Sequence, residues 1–153
     1  MKATESASDA VWVQICSAAG LDPRRRLAAR LAVLDGAAAL DCTLYRPDDH
    51  DPEAEEEELG DGRILFGGAF QAPAEWDAAH CAEFFGDEDP AQFMTALIEC
   101  TEAPASRHYF TVEPGDYVAV MQEGVVAMYY AYDCQEDEQG RHCVLIRDEM
   151  EEF

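Results

Sequence analysis

Carboxylates are the most frequent chemically active side chains in this sequence, and they occur in clusters. The clusters cover residues 48–61, 87–89, 133–138 and 148–152. Carboxylate oxygens can replace phosphate oxygens as hydrogen-bond acceptors for an arginine guanidinium group, so such clusters can bind a cationic protein. The acidic residues predicted to contact a partner are Asp48, Asp49, Asp51, Glu55, Glu56, Glu57, Glu58, Asp61, Asp87, Glu88, Asp133, Glu136, Asp137 and Glu138. Solubility alone is the simpler alternative.

Tyrosines provide a second kind of binding residue. Tyr129, Tyr130 and Tyr132 fall on one predicted strand, where alternation places Tyr130 and Tyr132 on one face and Tyr129 on the other. One set is expected in the core, and the other could be an exposed sheet face flanked by acids, as at protein interfaces. Tyr129 and Tyr132 are therefore predicted partner-binding residues, with core or plain sheet surface as the alternative.

Metal-ligating residue types are present without the spacing of a metal site. Residues 48–55 lack the central glycine and final glutamate of an EF-hand loop. The residues of zinc-ligand type are His80, Cys81, Cys134, His142 and Cys143. No CxxC pair or HExxH motif accompanies them, and strand alternation would point His142 and Cys143 to opposite faces. The sequence predicts no metal and no cofactor.

Catalytic residue types are present as well, but no motif arranges them. A Cys–His pair could act as nucleophile and base, and Glu75, Asp77 and Glu83 near Trp76 could form an acid–base pair. Gly67-Gly68 lacks the Lys-Ser/Thr that follows in a phosphate-binding loop. A non-enzyme is favoured, and a small enzyme with a Cys/His or paired-carboxylate site remains an alternative.

The basic residues cluster once, at Arg24, Arg25, Arg26 and Arg30 near the start of a predicted helix. Positive charge is unfavourable at a helix N-terminus. Pairing with the chain's own acids is therefore expected. The alternative is an anchor for an acidic patch on a second copy, which would give a homodimer.

Charge is the most unusual property of the whole chain. Its 153 residues carry a net charge of −23, and residues 47–153 hold 28 acids against four bases. Such a field repels nucleic acid and anionic membranes and attracts basic partners. No apolar run approaches the ~20 residues that cross a bilayer, and the N-terminus lacks an apolar signal segment. Six cysteines in apolar surroundings are typical of free thiols, so a cytoplasmic location is predicted.

The first half of the chain predicts helices followed by strands, all within one domain covering residues 1–153. Residues 8–19, capped by Ser6 or Ser8, and a helix from Asp22-Pro23 to Gly36 should form an αα-hairpin. A strand over 38–46 and one over 63–70 are separated by residues 47–62, which we predict to be an acidic mobile loop. Gly67-Gly68 indicates a bulge in the second strand.

The second half predicts a further helix pair and then strands. Residues 73–85 have helical spacing, and Asp89-Pro90 is a typical helix start, with Phe93, Met94, Leu97 and Ile98 as the buried side. The later strands are predicted over 107–113, 116–122, 125–133 and 141–147, with an acidic loop over 134–140. The fold class predicted is α+β: a helical hairpin and a second helix pair packed on a mostly antiparallel sheet with a C-terminal four-stranded meander.

The composition therefore favours a small acidic binding or inhibitor protein that occludes a basic protein partner. A toxin-immunity protein and a nucleic-acid-mimicking inhibitor are the two roles that fit this charge. It would contact neither nucleic acid nor membrane directly. A chaperone for a secreted effector is the alternative binding function.

Overall fold

The computed structural model describes residues 3–48, 50–51 and 53–147, which form three α-helices and six β-strands. The helices are α1 (Ala3–Ala18), α2 (Pro23–Leu34) and α3 (Ala78–Phe85), and a 3₁₀ turn spans Pro90–Gln92. The strands are β1 (Leu40–Arg46), β2 (Glu57–Ala69), β3 (Phe93–Cys100), β4 (Tyr117–Gln122), β5 (Val125–Asp137) and β6 (Gly140–Arg147). No helix among these residues is both long and apolar enough to span a bilayer.

The six strands close into an antiparallel barrel in the order β1-β2-β3-β6-β5-β4. β1 pairs with both β2 and β4, so neither side of the sheet is left as an open edge. Alternate residues point inward, and Leu44, Ile64, Val118, Val120 and Leu145 are completely buried there. The predicted fold, a helical hairpin and a second helix pair packed on a mostly antiparallel sheet with a four-stranded meander, was therefore wrong, because the sheet closes into a barrel.

Residues 93–100 are a strand and not the second member of a helix pair. Ala96 and Ile98 lie in the barrel core and Met94 packs against it, which is the period of a strand. Asp89 does cap the turn that follows it, since its side chain accepts from the Ala91 N–H at 3.0 Å, but that turn spans only Pro90–Gln92. A short apolar run fits either helix or strand by periodicity, and here pairing with β2 and β6 decides for the strand.

The C-terminal meander has three strands, because residues 107–113 form no strand. The predicted acidic loop over 134–140 is mostly sheet: β5 continues to Asp137, and Glu138-Gln139 form the turn to β6. The predicted mobile loop 47–62 also ends early, since β2 begins at Glu57. In both segments the backbone hydrogen bonds between neighbouring strands continue, while the acidic side chains remain at least partly exposed to solvent. Repulsion between these like charges therefore does not prevent strand pairing.

Several local predictions are confirmed. α1 and α2 form the αα-hairpin, and the Asp22 side chain accepts from the backbone N–H groups of Arg24 and Arg25. The register of β2 against β3 shifts between Phe66 and Gly68, which is the predicted bulge. α1 begins earlier than predicted, at Ala3, so the two candidate cap serines lie inside the helix.

The helices cover one part of the barrel wall and leave another part bare. α2 packs against β2, β3 and β6. α3 packs through Phe85 on an apolar cluster outside the barrel that includes Phe93 of β3 and Val144 of β6. The outer faces of β1, β4 and the first half of β5 lie on the remaining side, where Met121 and Val126 are half exposed.

At Gly62 and Gly67 of β2 the barrel wall leaves little room for a side chain. A Cβ there would lie 2.7 Å from the backbone carbonyl oxygen of Glu99, whereas a Cβ at Gly67 would lie 2.7 Å from the Thr95 side-chain Oγ1. We expect Gly62→Ala to lower the free energy of unfolding by about 2–3 kcal/mol, because a paired strand cannot move aside. Gly67→Ala should cost less than about 1 kcal/mol, because the Thr95 hydroxyl can change rotamer. Urea denaturation measures both, and equal losses would contradict the reason given.

Candidate functional site

The candidate site is the outer surface of β1, β4 and the first half of β5, which we call the open face. Strand alternation brings its side chains outward, since their neighbours Leu44, Val118 and Ala127 fill the barrel interior. The residues of the open face are Thr43, Tyr45, Tyr117, Ala119, Met121, Val126, Met128 and Tyr130. They are half-buried or exposed and mostly apolar or aromatic, a composition typical of protein-binding surfaces.

Register aligns the open face in rows across three strands. Tyr45 lies opposite Tyr117, which lies opposite Tyr130, and the rings of the last two meet edge-on at 5.4 Å. The next row is Thr43, Ala119 and Met128. Cross-strand pairs of this kind hold aromatic side chains in fixed positions, which lowers the entropy that binding would cost.

Carboxylates border the open face along β2. Asp61 lies opposite Thr43 and accepts a hydrogen bond from its Oγ1 at 3.2 Å, and Glu58 lies opposite Tyr45. Both acidic residues are exposed. The outer surface therefore changes from acidic on β2 to apolar on β4 and β5 within two strand spacings, which is about 10 Å.

A groove of about 520 Å³ runs along this boundary. Asp41 and Asp61 line one side, and Met121 and Val126, which are 50% and 55% exposed, line the other. A lysine or arginine of a partner could lay its alkyl chain on the methionine and valine and its charged group on the carboxylates. Asp41 already binds Arg63 at 2.6 Å, so Asp61 is the acid more open to a partner.

Most arginines of the chain form salt bridges with its own acidic residues. The arginines in salt bridges are Arg25, Arg26, Arg30, Arg46, Arg63 and Arg141. In the predicted basic patch, Arg25, Arg26 and Arg30 thus pair with acids of the chain itself, as expected. Because these cations already have partners within the chain, the remaining acids leave the surface with an excess of negative charge.

The arginines of α2 enter a buried cluster on the outside of β3. Arg26 Nη2 lies 2.7 Å from Glu99 Oε2, its Nε lies 2.7 Å from Glu136 Oε2, and Arg30 Nη1 lies 3.9 Å from Glu99 Oε1. Both guanidinium carbons lie 5.6 Å from the Trp12 ring centre. Burial lowers the pKa of the Arg26 guanidinium, but Glu99 and Glu136 outweigh that effect and raise it, so Arg26 stays charged.

The predicted acidic contact residues are spread over three regions and do not form one surface. Asp48, Asp51, Glu55 and Glu56 precede β2, and Glu57, Glu58 and Asp61 lie on it. Asp87 and Glu88 lie in the turn after α3. Asp133, Glu136, Asp137 and Glu138 lie at the end of β5 and in its turn. Asp49 and residues 148–152 lie outside the described residues.

Three acids at the end of β5 bind groups of the chain itself. Glu136 contacts Arg26 and Arg141, Glu138 contacts Arg25, and Asp137 lies 2.8 Å from His142 Nε2. Burial opposes ionisation of Asp137, but the Gln139 N–H and His142 outweigh it and lower the pKa of that carboxyl. Glu136, Asp137 and Glu138 are therefore less available to a partner than the exposed acids of β2.

The two tyrosines predicted as contacts point elsewhere. Tyr129 is 4% exposed and lies inside the barrel against Phe66, with ring centres 5.3 Å apart. The Tyr132 hydroxyl donates to the Phe84 carbonyl beneath α3. Tyr45 and Tyr117 of the open face were not among the predicted contact residues, although the alternation of residues 41, 43 and 45 was visible in the sequence.

The residues of zinc-ligand type lie on α3, on the second half of β5 and on β6, and none of them is a residue of the open face. Among residues 3–48, 50–51 and 53–147, no group of three or more His, Cys, Asp or Glu side chains is placed to hold a metal ion. Burial raises the pKa of the Cys42 thiol to about 12. A hydrogen bond with Cys134, together with burial, raises that of Cys143 well above its usual value, which disfavours a thiolate at either position.

Comparison with known proteins finds no matching family model, no matching curated protein and no matching solved structure.

Glu99 holds two buried guanidinium groups, and its neutralisation should be costly. We expect Glu99→Gln to lower the free energy of unfolding by about 3–5 kcal/mol, because Arg26 and Arg30 remain buried without their shared anion. Glu138→Gln is the matched control, since it breaks the contact with the exposed Arg25 and should cost less than about 1 kcal/mol. Urea denaturation compares them, and similar losses would show that the cluster does not anchor α2.

Proposed function

We propose that the protein binds a basic protein partner through the open face and the carboxylates beside it, and thereby covers the functional surface of that partner. The observation that carries the proposal is the groove in which Asp61 faces Met121 and Val126. This groove matches both halves of a basic side chain, the alkyl stem and the charged head.

Charge distribution supports a cationic partner. The chain carries a net charge of −23, and within the part of the chain that the structure describes six of the nine arginines form salt bridges with its own acids. A surface of this kind attracts basic proteins from a distance and repels nucleic acid and anionic membranes. It also disfavours a homodimer through this face, because the two copies would bring like charges together.

The apolar side of the open face supports a specific complex. Carboxylates raise the rate of encounter, but contacts that persist usually need buried aromatic or aliphatic anchors. Met121 and Val126 are exposed beside the ordered tyrosine row, so they can provide such anchors. A partner that presented only charge would leave this apolar surface in water.

Two biological roles fit this proposal. An immunity protein would cover the active site of a basic toxin, and a nucleic-acid mimic would cover the binding surface of a DNA- or RNA-binding protein. Competition by duplex DNA separates them, since it would displace the partner of a mimic. We place the protein in the cytoplasm as part of the proposal; its six cysteines are all free thiols, as in reducing compartments.

The test first identifies the partner and then maps its contacts. A photo-crosslinking amino acid at Ala119, compared with one at Asp87, should label a basic protein in native lysate from the centre of the open face only. With that partner purified, Glu58→Gln with Asp61→Asn should slow association by about tenfold. Met121→Gln with Val126→Thr should speed dissociation by about tenfold. Surface plasmon resonance measures both rates.

Asp87→Asn with Glu88→Gln is the matched control, because it neutralises the same number of acids on the turn after α3. It should change association by less than about twofold. Association should also slow steeply as salt rises from about 50 to about 500 mM. An acidic partner, or equal effects of the two charge variants, would overturn the proposal. So would a salt-resistant complex sensitive only to the apolar variant, which would fit the chaperone hypothesis instead.

A further inference from the structure

A second concavity lies on the part of the barrel wall that α3 covers. This cleft has a volume of about 420 Å³ and separates α3 and the segment before it from the outer face of β5 and β6. Phe70, Trp76 and Phe84 form one wall, with Phe84 lying 5.3 Å from Phe70 and 5.1 Å from Trp76 between ring centres. Val144 and Asp133 form part of the other wall. Small-molecule sites are usually clefts of roughly 300–1,000 Å³ with apolar walls and few polar groups.

Asp133 provides the charge of the cleft. Within the described chain its carboxylate has one hydrogen bond, from Gln135 Nε2 at 3.4 Å, which is longer than a strong hydrogen bond. Among the residues that the structure describes, no lysine or arginine lines the cleft. His142 also lines it, but its Nε2 is engaged by Asp137 at 2.8 Å. A half-buried carboxylate without a cation attracts a positive group, and the net charge of the chain repels anions.

The geometry points to a binding site for a small organic cation with an aromatic body, seated between α3 and the sheet. The aromatic body lies against Phe70, Trp76 and Phe84, and the ammonium group donates to the Asp133 carboxylate. His80, stacked on Trp76 at 4.0 Å, borders the same cleft. The open face lies on β1, β4 and the first half of β5, so this site is separate from the proposed protein-binding surface and does not depend on it.

Three indole compounds of similar size separate charge from shape. Tryptamine is a cation at neutral pH, N-acetyltryptamine is neutral, and indole-3-propionate is an anion. We expect isothermal titration calorimetry at physiological salt to give tryptamine a Kd at least about tenfold lower than the other two. Asp133→Asn should remove this preference by raising the Kd for tryptamine about tenfold. Asp87→Asn, which changes the net charge equally outside the cleft, should change it less than about twofold.

The two tryptophans give an internal control in ¹H–¹⁵N spectra. Tryptamine should shift the Trp76 indole N–H signal and leave that of Trp12, which donates to the Pro23 carbonyl, unchanged. The Trp12 signal also reports whether Asp133→Asn remains folded. Equal binding of all three compounds, equal losses in the two variants, or no saturable binding up to millimolar tryptamine would each overturn the proposal.

Discussion

The contact between α2 and the outside of β3 is the interaction on which the arrangement of the molecule depends. Glu99 is buried beneath the helical hairpin and faces two arginines, whose charges would be very unfavourable there without it. Trp12 of α1 covers both guanidinium groups, so the same cluster holds both helices of the hairpin. Because the hairpin is fixed on this side, β1 and β4 on the other side remain open to solvent.

Barrel closure has an equally direct consequence for the surface. When β1 pairs with β4 and the barrel closes, each strand has one face inside and one outside. Consecutive residues along a strand must therefore point alternately inward and outward. Branched aliphatic residues such as Leu44 and Val118 then fill the interior, and Tyr45 and Tyr117 are placed side by side on the exterior. The acids of β2 border this row, so charge and apolar area meet on one continuous wall.

The carboxylates have two different physical roles. Glu99 and Glu136 fix α2 on the barrel, because each forms a salt bridge with a buried arginine of that helix. Asp61 and Glu58 are exposed beside apolar side chains, where their charge reaches an approaching partner. The amino-acid composition alone does not distinguish these two groups of carboxylates. They differ in whether an arginine of the chain lies beside them.

The sequence alone determined two features that depend on neighbouring residues, the helical hairpin with its Asp22 cap and the bulge at Gly67-Gly68. It also determined the acidic character of residues 47–153, which is a sum over residue types. Capping, glycine conformation and net charge are local or additive, so they can be read from residue types. Tertiary structure alone decided that residues 93–100 form a strand, that Tyr129 is buried, and which acids stay exposed. These outcomes depend on strand register and on contacts between residues far apart in the chain, because the free energy that selects them comes from burial and pairing across the closed barrel.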